Sequence, residues 1–205
     1  MTTATVFTVV PVPRAPADDV VVPGAPRTAP GSRASSYQRV LHQLARRELR
    51  LLAELGAWAP PGDRARIAAL TGHADLVSRL LVSHHRIEAE ALWPALLSAA
   101  PARSEADVRA AVVEWTARAA RIGLLLRDLA TAGRQWAVTG TPAARDAVTR
   151  ACRVLADAVD AHTAAEERDL LPLLDAHLDA ATWSAIAASA SCPLTRRERS
   201  LVLGL

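Results

Sequence analysis

Residues 83–96, SHHRIEAEALWPAL, and residues 162–174, HTAAEERDLLPLL, decide how this chain folds. Both hold the same frame, His84-x3-Glu88-x5-Pro94 and His162-x3-Glu166-x5-Pro172, at an interval of 78 residues. Each sits in a long Ala-, Leu- and Arg-rich segment whose apolar residues recur at helical spacing. A histidine and a carboxylate four positions apart on a helix differ by about 40° in direction and about 6 Å in height. Two such pairs on two helices can converge on one centre, which is how helical bundles build metal sites. Burying a carboxylate beside an imidazole twice over, with nothing to compensate, would carry a heavy desolvation cost. The competing reading pairs these acids with the abundant surface arginines, and the repetition of the frame weighs against it.

Outward from these stretches the chain is punctuated by helix signals. Ser35 or Ser36 can cap a first helix reaching about Trp58, with Val40, Leu41, Leu44, Leu51, Leu52 and Leu55 at helical spacing. Ala59-Pro60-Pro61-Gly62 ends it, and Asp63 caps a second helix through His73, His84, His85 and Glu88 to about Ala99. Gly72 and Pro94 mark irregularities in it, and Pro94 is expected to kink or divide it. Ser104 and Asp107 have the spacing of a capping box for a third helix to about Ala132. Thr139-Gly140-Thr141-Pro142 supplies a break, a cap and a first-turn proline for a fourth, to about Leu178. Shorter helices are expected near 180–190 and 195–203, the latter with a capping box at Thr195 and Glu198. The connections are short, so consecutive long helices should lie antiparallel: an all-α, up-down-up-down four-helix bundle over 35–178, followed by one or two short helices within 179–205.

Composition agrees. The chain has 205 residues, 51% of them hydrophobic, mostly Ala, Leu and Val, a mixture suited to helices packed through small side chains. All 24 basic residues are Arg, spread among acids for a net charge of +3, with no dense basic stripe or reading motif of a nucleic-acid binder. Cys152 and Cys192 form no CxxC pair and imply no oxidising compartment. Residues 1–34, rich in Pro, Ala, Val and Thr without periodicity, read as a disordered arm. Pro11 and Pro13 interrupt its apolar run before a signal peptide's middle region is complete, and no uncharged apolar stretch of membrane-spanning length follows. The expectation is a cytoplasmic protein with no membrane partner.

Histidine placement adds a third contributor. His42 lies on the first helix beside Leu41, Leu44 and Ala45, a setting suited to an inward-pointing imidazole. His73 is three turns from His84, about 16 Å along the axis, too far to share a centre with it. His85 points about 100° away from His84 and reads as a supporting or surface residue.

Together, a first-helix histidine, His-x3-Glu followed by Leu-Trp-Pro, and His-x3-Glu-Glu followed by Leu-Pro resemble the hemerythrin-like (HHE cation-binding) family over residues 38–178. The two quoted stretches carry that resemblance; the rest is generic amphipathic helix. It implies a bundle holding two non-haem irons bridged by carboxylates and capped by histidines. The ligands it implies here are His42, His84, Glu88, His162 and Glu166. Glu167 is a second candidate bridge, because family members place the carboxylate four or five positions after the histidine.

The sequence also departs from that family. Its members contribute a histidine, two, or a histidine and a carboxylate from the third helix, whereas this chain has no His, Asp or Glu between Trp115 and Arg127. Internal symmetry makes the same point: His42 shifted by 78 residues falls on Ala120, next to Ala119. The site is therefore expected to be incomplete or atypical, with one iron, a weakly held second, or Glu114 as substitute ligand. The leading expectation is an iron protein whose small-molecule partner is O2, peroxide or NO, serving sensing, detoxification or iron-dependent oxidation. The alternatives are an oxygen-activating biosynthetic oxidase with substrate in the space left at Ala119 and Ala120, and a degenerate, metal-free interaction protein.

Overall fold

In the computed structural model, which describes residues 32–190 together with Leu194, Thr195 and Glu198, helix α1 spans Arg33–Trp58. Its cap is Ser32, whose hydroxyl accepts from the Ser35 amide, so the helix begins before the serines expected to open it. The rest of the expected arm, 1–31, lies outside the described residues. Helix α2, Arg64–Ile87, starts at Asp63 as its composition implies and runs through Gly72 without a break.

Pro94 acts one turn upstream of itself. It has no N–H to donate, and its ring crowds the carbonyl four residues back. The backbone answers with a π turn, Glu88–Leu92, closed by the Trp93 amide on the Glu88 carbonyl, before α3, Trp93–Ala99, resumes the α spacing. Such single-turn π bulges favour functional positions, because one extra residue per turn re-aims the side chains around it. Here the turn opens on Glu88.

Helix α4, Glu105–Thr139, runs a full two turns beyond the expected end near Ala132. Gly133, just past that expected end, is a buried interior residue facing Thr71, and Trp136 beyond it is fully buried. The expected box at Ser104 does not form: the Ser104 hydroxyl donates to the Pro101 carbonyl instead of capping. The true stop is Gly140, left-handed at φ 64, where a side chain would be strained. Thr141 then caps α5, Pro142–Asp169, its hydroxyl accepting from the Ala144 amide. The helix expected to run on to about Leu178 is divided at Pro172, as α2 is at Pro94, because proline has no N–H to donate; this leaves α6, Leu171–His177, and α7, Ala180–Ser189, capped by Asp179. The Thr195–Glu198 box is formed at 2.7 and 3.2 Å, while most of the helix expected at 195–203 lies outside the described residues.

Helix α1 packs on α2 and α5, and α4 packs on the same two, which closes the four long helices into an all-α bundle. No strand occurs among the described residues, and none of their helices is long and apolar enough to cross a membrane. Small residues allow the close approach: a Cβ added at Gly56 on α1 would stand 3.0 Å from Thr149 Oγ1 on α5. Two apolar cores result. One, around Leu49, Ile67, Trp136 and Leu155, fills the half of the bundle near the α4–α5 turn. The other, around Leu92, Trp93, Trp115 and Leu171, fills the opposite end. Cys152 is buried in the first, which raises its thiol to about 11, so it is an inert core residue. The polar residues lie between the two cores.

Thr141→Ala should remove one cap hydrogen bond and cost about 1 kcal/mol. A urea unfolding curve is expected to shift to a lower midpoint with an unchanged slope.

Candidate metal centre

Each helix delivers its side chains to the polar layer for a local reason. On α1, Gln38 and His42 are one turn apart on the inward face, and both are buried. On α2, His84 occupies the last turn and Glu88 opens the π turn. On α5, His162 and Glu166 share a face one turn before Pro172 ends the helical ladder. All six are 7% exposed or less, and Glu88 and Glu166 are fully buried.

His42, His84 and Glu88 form a compact group, one ligand atom from each lying within 4.8 Å of the others. Glu166 faces them from α5, with Oε1 3.3 Å from His42 Nε2 and Oε2 3.7 Å from His162 Nε2. Its carboxyl is also a close electrostatic neighbour of that of Glu88. Glu166 thus stands between the His42–His84–Glu88 group and His162. Glu167 takes a different place. It is partly exposed, paired with Arg46 at 3.1 Å, and 2.9 Å from His42 Nδ1, on the ring edge away from Glu166. A carboxylate oxygen accepts, so this contact puts a ring proton on Nδ1, and Nε2 faces Glu166.

Burial dominates the electrostatics. It lowers His84 to about 3 against the partial pull of the Glu166 charge, lowers His162 to about 3 with help from His85, and lowers His85 to about 4. All three rings are neutral near pH 7, the state a metal requires. Burial, followed by the charge of Glu166, raises Glu88 well above the carboxylate range. Burial would raise Glu166 as well, but the His42 imidazole 3.3 Å away outweighs it and holds Glu166 below its ordinary value.

Many of these atoms have no hydrogen-bond partner: His42 Nε2, His84 Nε2, Glu88 Oε2, Glu166 Oε1 and both nitrogens of His162. A buried polar atom without a partner is costly, and several pointing into one volume call for something to fill it. Imidazole nitrogens and carboxylate oxygens together are the donor set of a divalent transition metal, so the residues present fit a cation.

Two residues at this layer, Gln38 and Trp115, were not anticipated from the sequence. Gln38 donates to Glu88 Oε1 at 2.8 Å; its signal was its position one turn before His42. Trp115 donates from Nε1 to Glu166 Oε2 at 3.2 Å, and its ring lies 5.8 Å from His162. This indole is what the third helix of the bundle, α4, supplies in place of a ligand. His85, read from the sequence as a supporting or surface residue, is half-buried, its ring 5.0 Å from that of His162. Glu114 does not reach the layer: its side chain is 73% exposed and lies 3.8 Å from Arg118 on its own helix. His73 pairs at 2.8 Å with Glu48 on α1, away from the group.

Two cavities reach these residues. A cleft of about 510 Å³ between α4 and α5 ends on His162 and is flanked by Arg118 and Arg121. A second, of about 470 Å³, touches His84 and Glu88 from the α1–α2 side. Neither is lined by Ala119 or Ala120, where the sequence had suggested room for a substrate.

The family model described as the hemerythrin HHE cation-binding domain matches residues 35–174. No curated protein and no solved structure matches the chain.

The depressed histidines fix the acid response of the metal-free protein. Below their ordinary value of 6.5, His84, His85 and His162 take up protons in the unfolded chain but not in the folded one, so stability falls as the pH drops from 6.5 toward 4. Glu88, raised in the folded state, works in the opposite sense but offsets at most one proton. Denaturant unfolding across this range should show net proton uptake on unfolding; a flat profile would contradict the neutral, buried rings.

Proposed function

The chain belongs to the hemerythrin HHE cation-binding domain family, and from that premise we propose that it is a non-haem iron protein whose small-molecule partner is O2, peroxide or NO. The observation that supports this most is the set of buried, partnerless donor atoms on His42, His84, Glu88 and Glu166. In this reading His42, His84 and Glu88 would hold one iron, with Glu166 as a further ligand candidate beside them, and His162 would contribute to a second position. The second position lacks a third-helix ligand, since Trp115 occupies that place, and it holds metal weakly. Glu167 is an orienting residue for His42 rather than a ligand.

When bound, iron supplies one-electron redox chemistry and open coordination positions for a small oxidant. The protein's own groups set the conditions for it. Glu167 keeps the proton of His42 on Nδ1, so that Nε2 can donate its lone pair. Gln38 fixes one oxygen of Glu88, and the Trp115 indole fixes one oxygen of Glu166. The apolar cores on either side keep bulk water from the layer. Between Arg118 and Arg121 the cleft gives a gas or peroxide a route to His162.

Anaerobic loading with ferrous iron, desalting and elemental analysis test this. Roughly one tightly retained iron per chain is expected, with a second lost on desalting, as its poorer ligand set implies. His84→Ala should reduce retained iron to background, whereas His162→Ala should spare the tight iron and abolish the weak one. Two tightly held irons, or none, would overturn the assignment. Gln38→Ala, which frees Glu88 to turn, should weaken the tight iron about 10- to 100-fold in a competition titration with a chelator.

A further inference from the structure

The cavity of about 470 Å³ beside His84 and Glu88 is larger than any diatomic ligand needs and falls within the usual range of organic-ligand sites, about 300–1,000 Å³. Its walls are chiefly apolar: Leu41 from α1, Leu80 from α2, and Trp183 and Ile186 from α7, which roofs it. The Tyr37 and Trp183 rings meet at 5.5 Å where α1 and α7 approach. Its few polar groups are placed unevenly. Ser83 Oγ, His84 Nε2 and Glu88 Oε2 are buried without hydrogen-bond partners. Arg33, in the first turn of α1, is exposed and forms no ion pair among the described residues. Nine residues of helix separate Arg33 from His42, about 13 Å along the axis. The lining therefore has a cation at one end and an apolar body that passes the candidate metal ligands.

We propose that this cavity binds an organic acid with an elongated apolar body, its carboxylate paired with Arg33 and its chain lying along His84 and Glu88. An apolar pocket with one or two placed charges selects an amphipathic ligand in this way: the body contributes burial and the charge fixes its direction. A gas channel would have no use for Arg33, and a peptide helix would not fit beneath α7. The placement of the chain beside the metal rests on the iron reading above, and such a ligand is then the substrate class of an iron-dependent oxidation. Binding itself does not need the metal.

Isothermal titration of the full, metal-free chain with dodecanoate below its micellar concentration, and separately with dodecanol, tests the proposal. Dodecanoate should bind about tenfold more tightly than dodecanol, the value of one partly buried charged contact. Arg33→Glu, an acid that the helix N-terminus tolerates well, should bring dodecanoate to the level of dodecanol without changing the alcohol. Ala187→Trp, which places an indole in the cavity from the exposed side of α7, should weaken both about tenfold. Both variants should retain wild-type iron. No dodecanoate binding, or binding that neither variant alters, would overturn the proposal. Iron retention without dodecanoate binding would remove the cavity ligand and leave the metal reading, and dodecanoate binding without iron retention would do the reverse.

Discussion

Glu88 and Glu166 lie fully buried as close neighbours in the layer between two apolar cores, and the organisation of the bundle follows from the need to make that burial tolerable. Two like charges at this spacing in a low dielectric cannot both persist uncompensated. In the metal-free chain a proton retained on Glu88 and the imidazole of His42 beside Glu166 provide the compensation. A divalent cation would replace that proton and would at the same time supply partners for the orphaned nitrogens of His42 and His84. The folded chain thus carries an electrostatic deficit that metal binding would close, which links metal affinity to stability.

The backbone is shaped around the same pair. Each carboxylate is followed six residues later by a proline, and each proline interrupts the helical ladder just beyond the acid: through a π turn after Glu88, and through the break between α5 and α6 after Glu166. The repeat is therefore structural as well as chemical. It is not complete. His42 on α1 has no counterpart on α4, where the buried indole of Trp115 donates to Glu166 and packs against His162. The two halves of the layer differ accordingly: one has two imidazoles and a carboxylate in reach of one point, the other has His162, a share of Glu166 and the neighbouring ring of His85.

Features set by local chemistry were legible in the sequence. The Asp63 and Thr141 caps, the break at Pro94, and the inward face carrying His42, His84 and Glu88 follow from spacing and residue type, whereas the equivalent break at Pro172 was passed over in a helix expected to reach Leu178. Features set by packing were not. The third helix reads as ending near Ala132 until Trp136 is seen to bury beyond it, and Ser104 reads as a cap although its hydroxyl turns to Pro101. The choice between Glu166 and Glu167 was open because adjacent residues on a helix differ by about 100°, and only the orientation of α5 against α1 decides which faces inward. Trp115 and Gln38 were invisible as site residues for a related reason: an indole or amide at a helical core position has no chemical signature until its acceptor is known. The cavity under α7 depends on how a short helix docks, which no spacing encodes.

The central claim is that the buried donor atoms of His42, His84, Glu88 and Glu166 enclose one iron. Anomalous diffraction from crystals of the iron-loaded protein, recorded on both sides of the iron absorption edge, tests it directly. The account predicts a strong peak among those four side chains and a weaker one or none beside His162. A peak only at the protein surface, or two equal peaks within the bundle, would contradict it.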